Sequence, residues 1–554
     1  MNVAEILVAE LQDRGVKYIS TLNGHGLDPF ALACIKLGMN MIDVRNEQTA
    51  SYMAEVTGRL TRNVGVCAVS GAVAHANALT GVLNAHLDGA PMLLITGVLP
   101  LSRFGERDFQ DFNPVPMAKP ICKYAQVIDN PNNIVQIIEE AFSAATSGKP
   151  GPVHLSLPMD IAEKEVENYQ KEIISKRRCG VELKMDAKDS EIDRVSELIR
   201  ISKKPLIIAG SGLYYSFGEK ELIAFASQQQ IPVVTPIWDR GCVMERFRPF
   251  LGVIGAASGG RILLSDTDLI IALGIDCDYR VGHLSSPKIN KNTPVIKIHT
   301  DLPTLIKGNQ EHIRIQASPK DFLSKLTKAC NKKSCAHTGK WLDETRLKTD
   351  DFILSCRNKA DTFPKGTNMK HVIDAISKVM TQETLLMVDG GNVGQWFHQL
   401  LTDHYPGHWV TCGASGVVGW GMPGAMAAKV LYPDRPVILL SGDGSFTFTV
   451  AELECAARQN LPFVAIVADD EMWGISLSIH EKSYGRPLYS SLGPTKLDVV
   501  AEGFGCNGIR IQNRADLLPA LQKALLNKYL LLFKYLSLQD HLQNMYNIFL
   551  FSLK

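Results

Sequence analysis

Short runs of β-branched and aliphatic residues, each closed by a Gly or Asp turn and followed by helical periodicity, recur in three blocks along this 554-residue chain. That alternation predicts parallel α/β layers, in which a buried strand reads as a continuous apolar run and the crossover helix as a stripe. The first block reaches about residue 165, with strands predicted at KYISTL, MIDV, VGVCAVS, PMLLITG and PVHLSLP, and leaves through the polar MDIAEKEVEN. The second, about 187 to 330, carries PLIIAGSG, IPVVTP, DLIIALG and PVIKIH and reads as a compact Rossmann-like unit. Residues 331–364 are charged and strandless, a partly helical connector. The third block, 365–524, carries TLLMVDGG, HWVTCG, PVILLSGDG and PFVAIVADD. The expected fold is therefore α/β, with three doubly wound domains and mainly parallel sheets. Residues 525–554 have Leu, Phe and Tyr without strand alternation, turn chemistry or helix stops. They are expected to form an atypical, poorly packed tail, with an amphipathic helix against a partner or membrane surface as the alternative.

Length alone exceeds one hydrophobic core, which agrees with three or so domains. With 45% hydrophobic residues, 21% charged residues and a net charge of +1, the composition is globular and gives no footing for a nucleic-acid partner. No apolar run approaches the length of a membrane span, and the N-terminal MNVAEILVAELQDRGVKY mixes acids into helical spacing without a basic leader. A cytoplasmic enzyme is expected, or an organelle protein whose presequence is absent. Twelve cysteines without a CxxC fit buried thiols in a reducing compartment. Cys330, Cys335 and His337 cluster in ACNKKSCAHTG but fall short of a metal site in ligand number and spacing.

Chemistry concentrates in SGDGSFTFTVAELECAARQNLPFVAIVADDEMWG, residues 441–474, which reads as strand, glycine turn, helix, strand, acidic turn. In a right-handed strand, helix, strand unit both strands point the same way and their C-terminal ends lie side by side. Asp443 and Asp470, 27 residues apart, should therefore meet at one sheet edge. Gly442 and Gly444 let the backbone turn tightly, and the helix beginning near Phe446 aims its N-terminal N–H groups at the same crevice. Paired carboxylates beside such amides suit Mg²⁺ bridging to a diphosphate. A plain Asp-Gly turn and an exposed acidic loop would not require that pairing.

A GDG followed at this distance by a paired polar dipeptide resembles the thiamine-diphosphate binding motif. The order of blocks is similar too, over residues 1 to about 515, and most similar to the acetolactate synthase group with its benzaldehyde lyase and 2-hydroxyacyl-CoA lyase relatives. The resemblance implies a pyrimidine-binding domain (1–165), a central Rossmann-like domain (187–330) and a diphosphate-binding domain (365–524). It implies Asp443, Asp470 and the Met472 carbonyl as Mg²⁺ ligands, with Gly394, Gln395, Gly442, Gly444 and Ser445 around the diphosphate. Glu47, in DVRNEQTASYMAEVTGRL, is implied as the acid that holds the aminopyrimidine at N1' so that its 4'-imino group can take the thiazolium C2 proton. In TCGASGVVGWGMPGAMAA, Gly416 would offer a carbonyl to the 4'-amino group and Val418 would bend the cofactor. Three departures stand out: Asp469 and Asp470 replace two asparagines, Ala72 to His75 replace a Gly-Pro-Gly, and Val418 replaces a longer Met.

FGERDFQDFNPVPMAKPICKYA resembles the segment whose Phe and Gln, here Phe109 and Gln110, line the substrate pocket, with Gln110 bonding a substrate carbonyl. His25 and His75 are further pocket candidates, each set against an ordinary structural role. Arg280, in ALGIDCDYRVGH, is a candidate for a substrate carboxylate or for the cofactor. Trp473 replaces a smaller residue and favours a benzaldehyde lyase-like pocket. His299, in VIKIHTDLP, stands where an acidic ribose contact is usual, so FAD is expected to be weak or absent. The implied function is thiamine-diphosphate- and Mg²⁺-dependent making or breaking of C–C bonds beside a carbonyl, foremost acetolactate synthase-like decarboxylation and carboligation of 2-keto acids. A lyase acting on 2-hydroxy ketones or 2-hydroxyacyl-CoA is the alternative. An inactive homologue is the third reading, because a closing strand is not evident after ADLLPALQKALL. The resemblance also implies a homodimer or homotetramer, since Glu47 of one chain faces the diphosphate domain of another.

Overall fold

The computed structural model describes residues 1–166, 169, 185–239, 243, 245–255, 263–306, 312–330, 339–361, 367–401, 409–527 and 531–536. Three six-stranded sheets, parallel at every pairing, form the three domains. The first contains β1 (Tyr18–Leu22), β2 (Asn40–Asp43), β3 (Gly65–Ser70), β4 (Met92–Val98), β5 (Tyr124–Val127) and β6 (Pro152–Pro158) in the order β2-β1-β3-β4-β6-β5. The second contains β7 (Pro205–Ala209), β8 (Val233–Pro236), β9 (Phe250–Ile254), β10 (Leu269–Leu273), β11 (Val295–His299) and β12 (Ile313–Gln316), ordered β12-β11-β10-β7-β8-β9. The third contains β13 (Leu385–Asp389), β14 (Trp409–Thr411), β15 (Val437–Gly442), β16 (Val464–Asp469), β17 (Asn507–Ile511) and β18 (Leu531–Leu536), ordered β14-β13-β15-β16-β18-β17. Central strands such as β4 and β10 are buried along their whole length, which is why they read as unbroken apolar runs.

β18 corrects the expectation of a missing strand. Its backbone pairs with both β16 and β17 and completes the third sheet, so the sheet-edge argument for an inactive homologue falls. Residues 537–554, Cys335 and His337 lie outside the described residues, while Cys330 is buried against Ser196. The connector contributes one long helix, Lys340–Asp361. No described helix is long and apolar enough to cross a membrane.

Seven further helices position the site: α1 (Glu47–Thr61), α2 (Val73–Asp88), α3 (Gly391–Leu400), α4 (Gly421–Leu431), α5 (Asp443–Phe448), α6 (Glu452–Arg458) and α7 (Gly474–Tyr484). α1 is sandwiched between α2 and α4, and Tyr52, Met53 and Val56 share one apolar core with Trp420, Met422 and Ala425. Inside that junction Arg59, fully buried, lies 3.2 Å from Glu55 and 3.8 Å from Asp88 and donates to the Thr411 carbonyl at 2.8 Å. Trp420 Nε1 donates to the other Glu55 oxygen at 2.8 Å. The first and third domains are thus joined by both apolar packing and a paired buried charge, which would be costly to break from one side.

Candidate active site

The register Gly442↔Ala468 sets the C-terminal ends of β15 and β16 side by side, and Asp389↔Ser441 sets β13 on the other flank. Asp443 opens α5 directly after β15, Asp470 follows β16, and Gly390, with φ of 106°, turns β13 into α3. A cavity of about 310 Å³ opens at this edge, lined by Gly390 to Val393, Gly442 to Ser445, Asp470, and Met472 to Ser476. Gly416 and Val418 line it from the loop before α4. The expected pairing of Asp443 with Asp470 across one strand, helix, strand unit is therefore present.

Its electrostatics are those of a cluster of buried, mutually repelling carboxylates. Burial, then the neighbouring Asp470 and Asp469, push the Asp443 carboxyl up to about 8. Burial also pushes Asp470 up to about 6, against the Met472 N–H that donates to it at 3.2 Å. Asp389, accepting the Gly421 N–H at 2.7 Å, is likewise raised to about 6 by burial. A divalent cation would offset the desolvation and repulsion that hold protons on these groups. Among the described residues no group of three or more His, Cys, Asp or Glu side chains forms a metal cage. Asp443 and Asp470, both lining the cavity, are hard-oxygen groups of the kind that suits a divalent cation.

The cradle demands its glycines. A Cβ on Gly444 would stand 2.6 Å from the Trp473 ring, one on Gly391 would stand 2.2 Å from Ile475, and one on Gly474 would stand 2.1 Å from Asn392 Nδ2. That Asn392 amide nitrogen is buried without a hydrogen-bond partner, a donor left over for an oxygen-rich ligand. The residues present therefore fit a metal-bound diphosphate.

Several expectations need correction. Gly394 and Gln395 do not line the cavity; a Cβ on Gly394 would meet the Trp238 ring at 2.5 Å, and Gln395 is buried. α3 starts at Gly391, so its first turn, Gly391 to Val393, faces the edge, and the signal missed was the GGN directly after β13. Arg280 does not reach this cavity either. Its guanidinium is buried, 2.8 Å from Asp278 and 3.8 Å from Asp239, so its carboxylate partners come from its own domain. Arg280 and His299 border a second cavity of about 1110 Å³ between the first and central domains, where Asp276 pairs with Lys149 at 2.7 Å. His75 is fully buried, its Nδ1 2.8 Å from Thr96 Oγ1, which also lies 3.0 Å from His154 Nε2. Burial lowers His75 to about 4, a structural setting that offers no face to substrate.

Trp473 lines the cavity, but Glu47, His25, Phe109 and Gln110 of the same chain do not. Glu47 occupies the first position of α1 behind the Asn46 cap, and its Oε2 accepts the Asn77 amide at 3.0 Å. His25 and Phe109 form an edge contact at 5.5 Å, with Phe109 72% exposed, and Gln110 Oε1 is buried without a partner. All four belong to the first domain.

Comparison with known families matches three domain models in chain order. Residues 1–117 match the thiamine pyrophosphate enzyme N-terminal TPP binding domain, 192–326 the central domain, and 389–533 the C-terminal TPP binding domain. Among curated proteins, a probable acetolactate synthase large subunit of Methanococcus aeolicus is 28% identical over 95% of this chain and 90% of its own. A 2-hydroxyacyl-CoA lyase 2 of Danio rerio is 28% identical over 94% of this chain and 88% of its own.

Proposed function

Starting from the fact that the chain belongs to the thiamine pyrophosphate-dependent, acetolactate synthase-like enzyme family, we propose that it makes or breaks C–C bonds beside a carbonyl with thiamine diphosphate and Mg²⁺. The favoured reaction is decarboxylation of a 2-keto acid with transfer of the remaining fragment to a second carbonyl. The observation that carries this reading is the paired Asp443 and Asp470 at the rim of the third sheet, beside a glycine cradle with a leftover amide donor.

Asp443, Asp470 and the Met472 carbonyl would hold Mg²⁺; Gly391, Asn392, Gly444 and Ser445 would take the diphosphate; Gly416 and Val418 would receive the aminopyrimidine. The bound cofactor supplies a carbon nucleophile at its thiazolium C2. Glu47 would hydrogen-bond the aminopyrimidine ring, and since it stands outside the cavity of its own chain, a second copy would supply it. The working unit is thus at least a homodimer, whose partner chain also brings His25, Phe109 and Gln110 over the reacting carbonyl. Gln110 Oε1, buried without a partner, is an acceptor left for a substrate hydroxyl, while the carbonyl would take its bond from the Gln110 amide nitrogen.

A C–C lyase acting on 2-hydroxy ketones or 2-hydroxyacyl-CoA is the second reading, supported by the Trp473 ring over Gly444, which narrows the cavity. FAD binding is weak or absent in both. The second cavity offers His299 and a half-buried Asp276 already paired with Lys149, a poor setting for a flavin pyrophosphate. A yellow, stoichiometric flavoprotein on purification would refute this. The decisive experiment is a panel of 2-keto acids and 2-hydroxyacyl compounds with thiamine diphosphate and Mg²⁺. Acetolactate from pyruvate supports the first reading, aldehyde release the second, and no turnover on any of them refutes both.

A further inference from the structure

The turn from β2 into α1 carries Glu47, and it is held by α6 of the same chain. β2 is an edge strand whose outer main-chain groups need partners. Gln459, directly after α6, supplies both: its Oε1 accepts the Asp43 N–H at 3.0 Å and its Nε2 donates to the Asp43 carbonyl at 2.8 Å. Arg458 binds the Asp43 carboxylate with two nitrogens, at 2.9 and 2.7 Å. Glu452, 1% exposed, accepts the Arg45 N–H with both oxygens at 3.1 Å. Two residues later the chain reaches Glu47.

The other end of this clamp is the cofactor cradle. α5 begins at Asp443 and leads through Thr449 to Glu452. The Thr449 hydroxyl donates to the Gly419 carbonyl at 3.0 Å, tying the α5–α6 junction to the loop that carries Gly416 and Val418. We propose that Glu452 and Gln459 are positioning residues for Glu47, so that the diphosphate turn of each chain is mechanically coupled to the acid that this chain lends to its partner. This rests on the functional reading above. It adds a path, internal to one chain, by which filling one cofactor cavity would organise the other cavity of the dimer.

The test uses the full chain and the Glu452→Ala, Glu452→Gln and Gln459→Ala variants. In the apoprotein, hydrogen exchange of the Val44 to Gln48 amides should rise roughly 10- to 100-fold in Glu452→Ala, the range expected when a buried bond to a charged acceptor is lost. Glu452→Gln keeps an acceptor and should restore slow exchange. With thiamine diphosphate and Mg²⁺ added, Glu452→Ala should bind within about threefold of wild type yet exchange the thiazolium C2 proton at least about tenfold more slowly. In a Glu47→Gln background the same change should add no further loss, because residues acting through one group are not additive. Independent, multiplying losses, or unchanged amide exchange in both Glu452→Ala and Gln459→Ala, would overturn the proposal. If wild type takes up no thiamine diphosphate at all, the functional reading fails and the coupling with it, while the apoprotein exchange still reports whether the clamp exists.

Discussion

Adding a single methyl group at Gly444 tests the cradle most directly. The Cβ of Gly444→Ala would stand 2.6, 2.9 and 2.9 Å from three atoms of the Trp473 ring, about 1 Å inside ordinary carbon contact. Neither side yields easily: Gly444 sits in the first turn of α5, and Trp473 caps α7 with its N–H donated to the Ser490 carbonyl at 2.8 Å. Overpacking of this kind costs about 1–3 kcal/mol. In a folding unit made of the first and third domains together, that lowers the melting temperature by roughly 1–2 °C per kcal/mol. Removing the ring should relieve it, so Gly444→Ala combined with Trp473→Leu should recover about 1 kcal/mol or more as a coupling energy in urea denaturation of the apoprotein. The alanine variant should also lose thermal stabilisation by thiamine diphosphate and Mg²⁺. A Gly444→Ala protein as stable as wild type, or a double variant whose cost is the plain sum of the two, would show that the ring does not rest on this turn.

Three other outcomes follow from the same structure. Chelation of divalent metal should abolish the stabilisation by thiamine diphosphate, which at 100 times Kd is worth about 2.7 kcal/mol; a melting shift that persists in EDTA contradicts the assignment of Asp443 and Asp470. Replacing Arg59 by Met strands Glu55 and Asp88 in the interior and should cost about 3–5 kcal/mol by urea denaturation, with a loss under about 1 kcal/mol counting against a tight junction. For His75, held near 4 when folded against 6.5 when unfolded, the unfolded chain binds the extra proton, so its stabilising contribution is present above pH 6.5 and lost as the pH falls toward 4. The stability gap between wild type and His75→Gln should therefore narrow by about 3 kcal/mol between pH 7.5 and pH 4, and a gap independent of pH would refute the buried neutral state.

The strands that sequence patterning missed were β5, β9, β12, β17 and β18, the first four at sheet edges and β18 next to one. β5, β12 and β17 are half covered and tolerate Arg, Gln and Asn, as in IRIQ and NGIRI, so no continuous apolar run marks them, whereas β9 is buried along its length and its short FLGVI is interrupted by a glycine. LLFKYL of β18 was hidden differently, inside a longer stretch of Leu, Phe and Tyr with no turn residues to set its bounds. The pairing of Asp443 with Asp470 was legible because it depends only on the handedness of one strand, helix, strand unit. Gly394 and Arg280 were misplaced because a few residues along a helix, or a competing aspartate from another turn, decide where a side chain goes. Neither is written in local pattern.

The interior shared by the first and third domains gives the chain an unusual architecture of cooperativity. Tyr52 and Trp420, some 370 residues apart in sequence, melt or survive together, while most of the central domain keeps apolar cores of its own. Calorimetry should accordingly register the two outer lobes as one transition. A shortened or exchanged middle segment could then leave the catalytic halves standing, provided the chain still spans the distance between them.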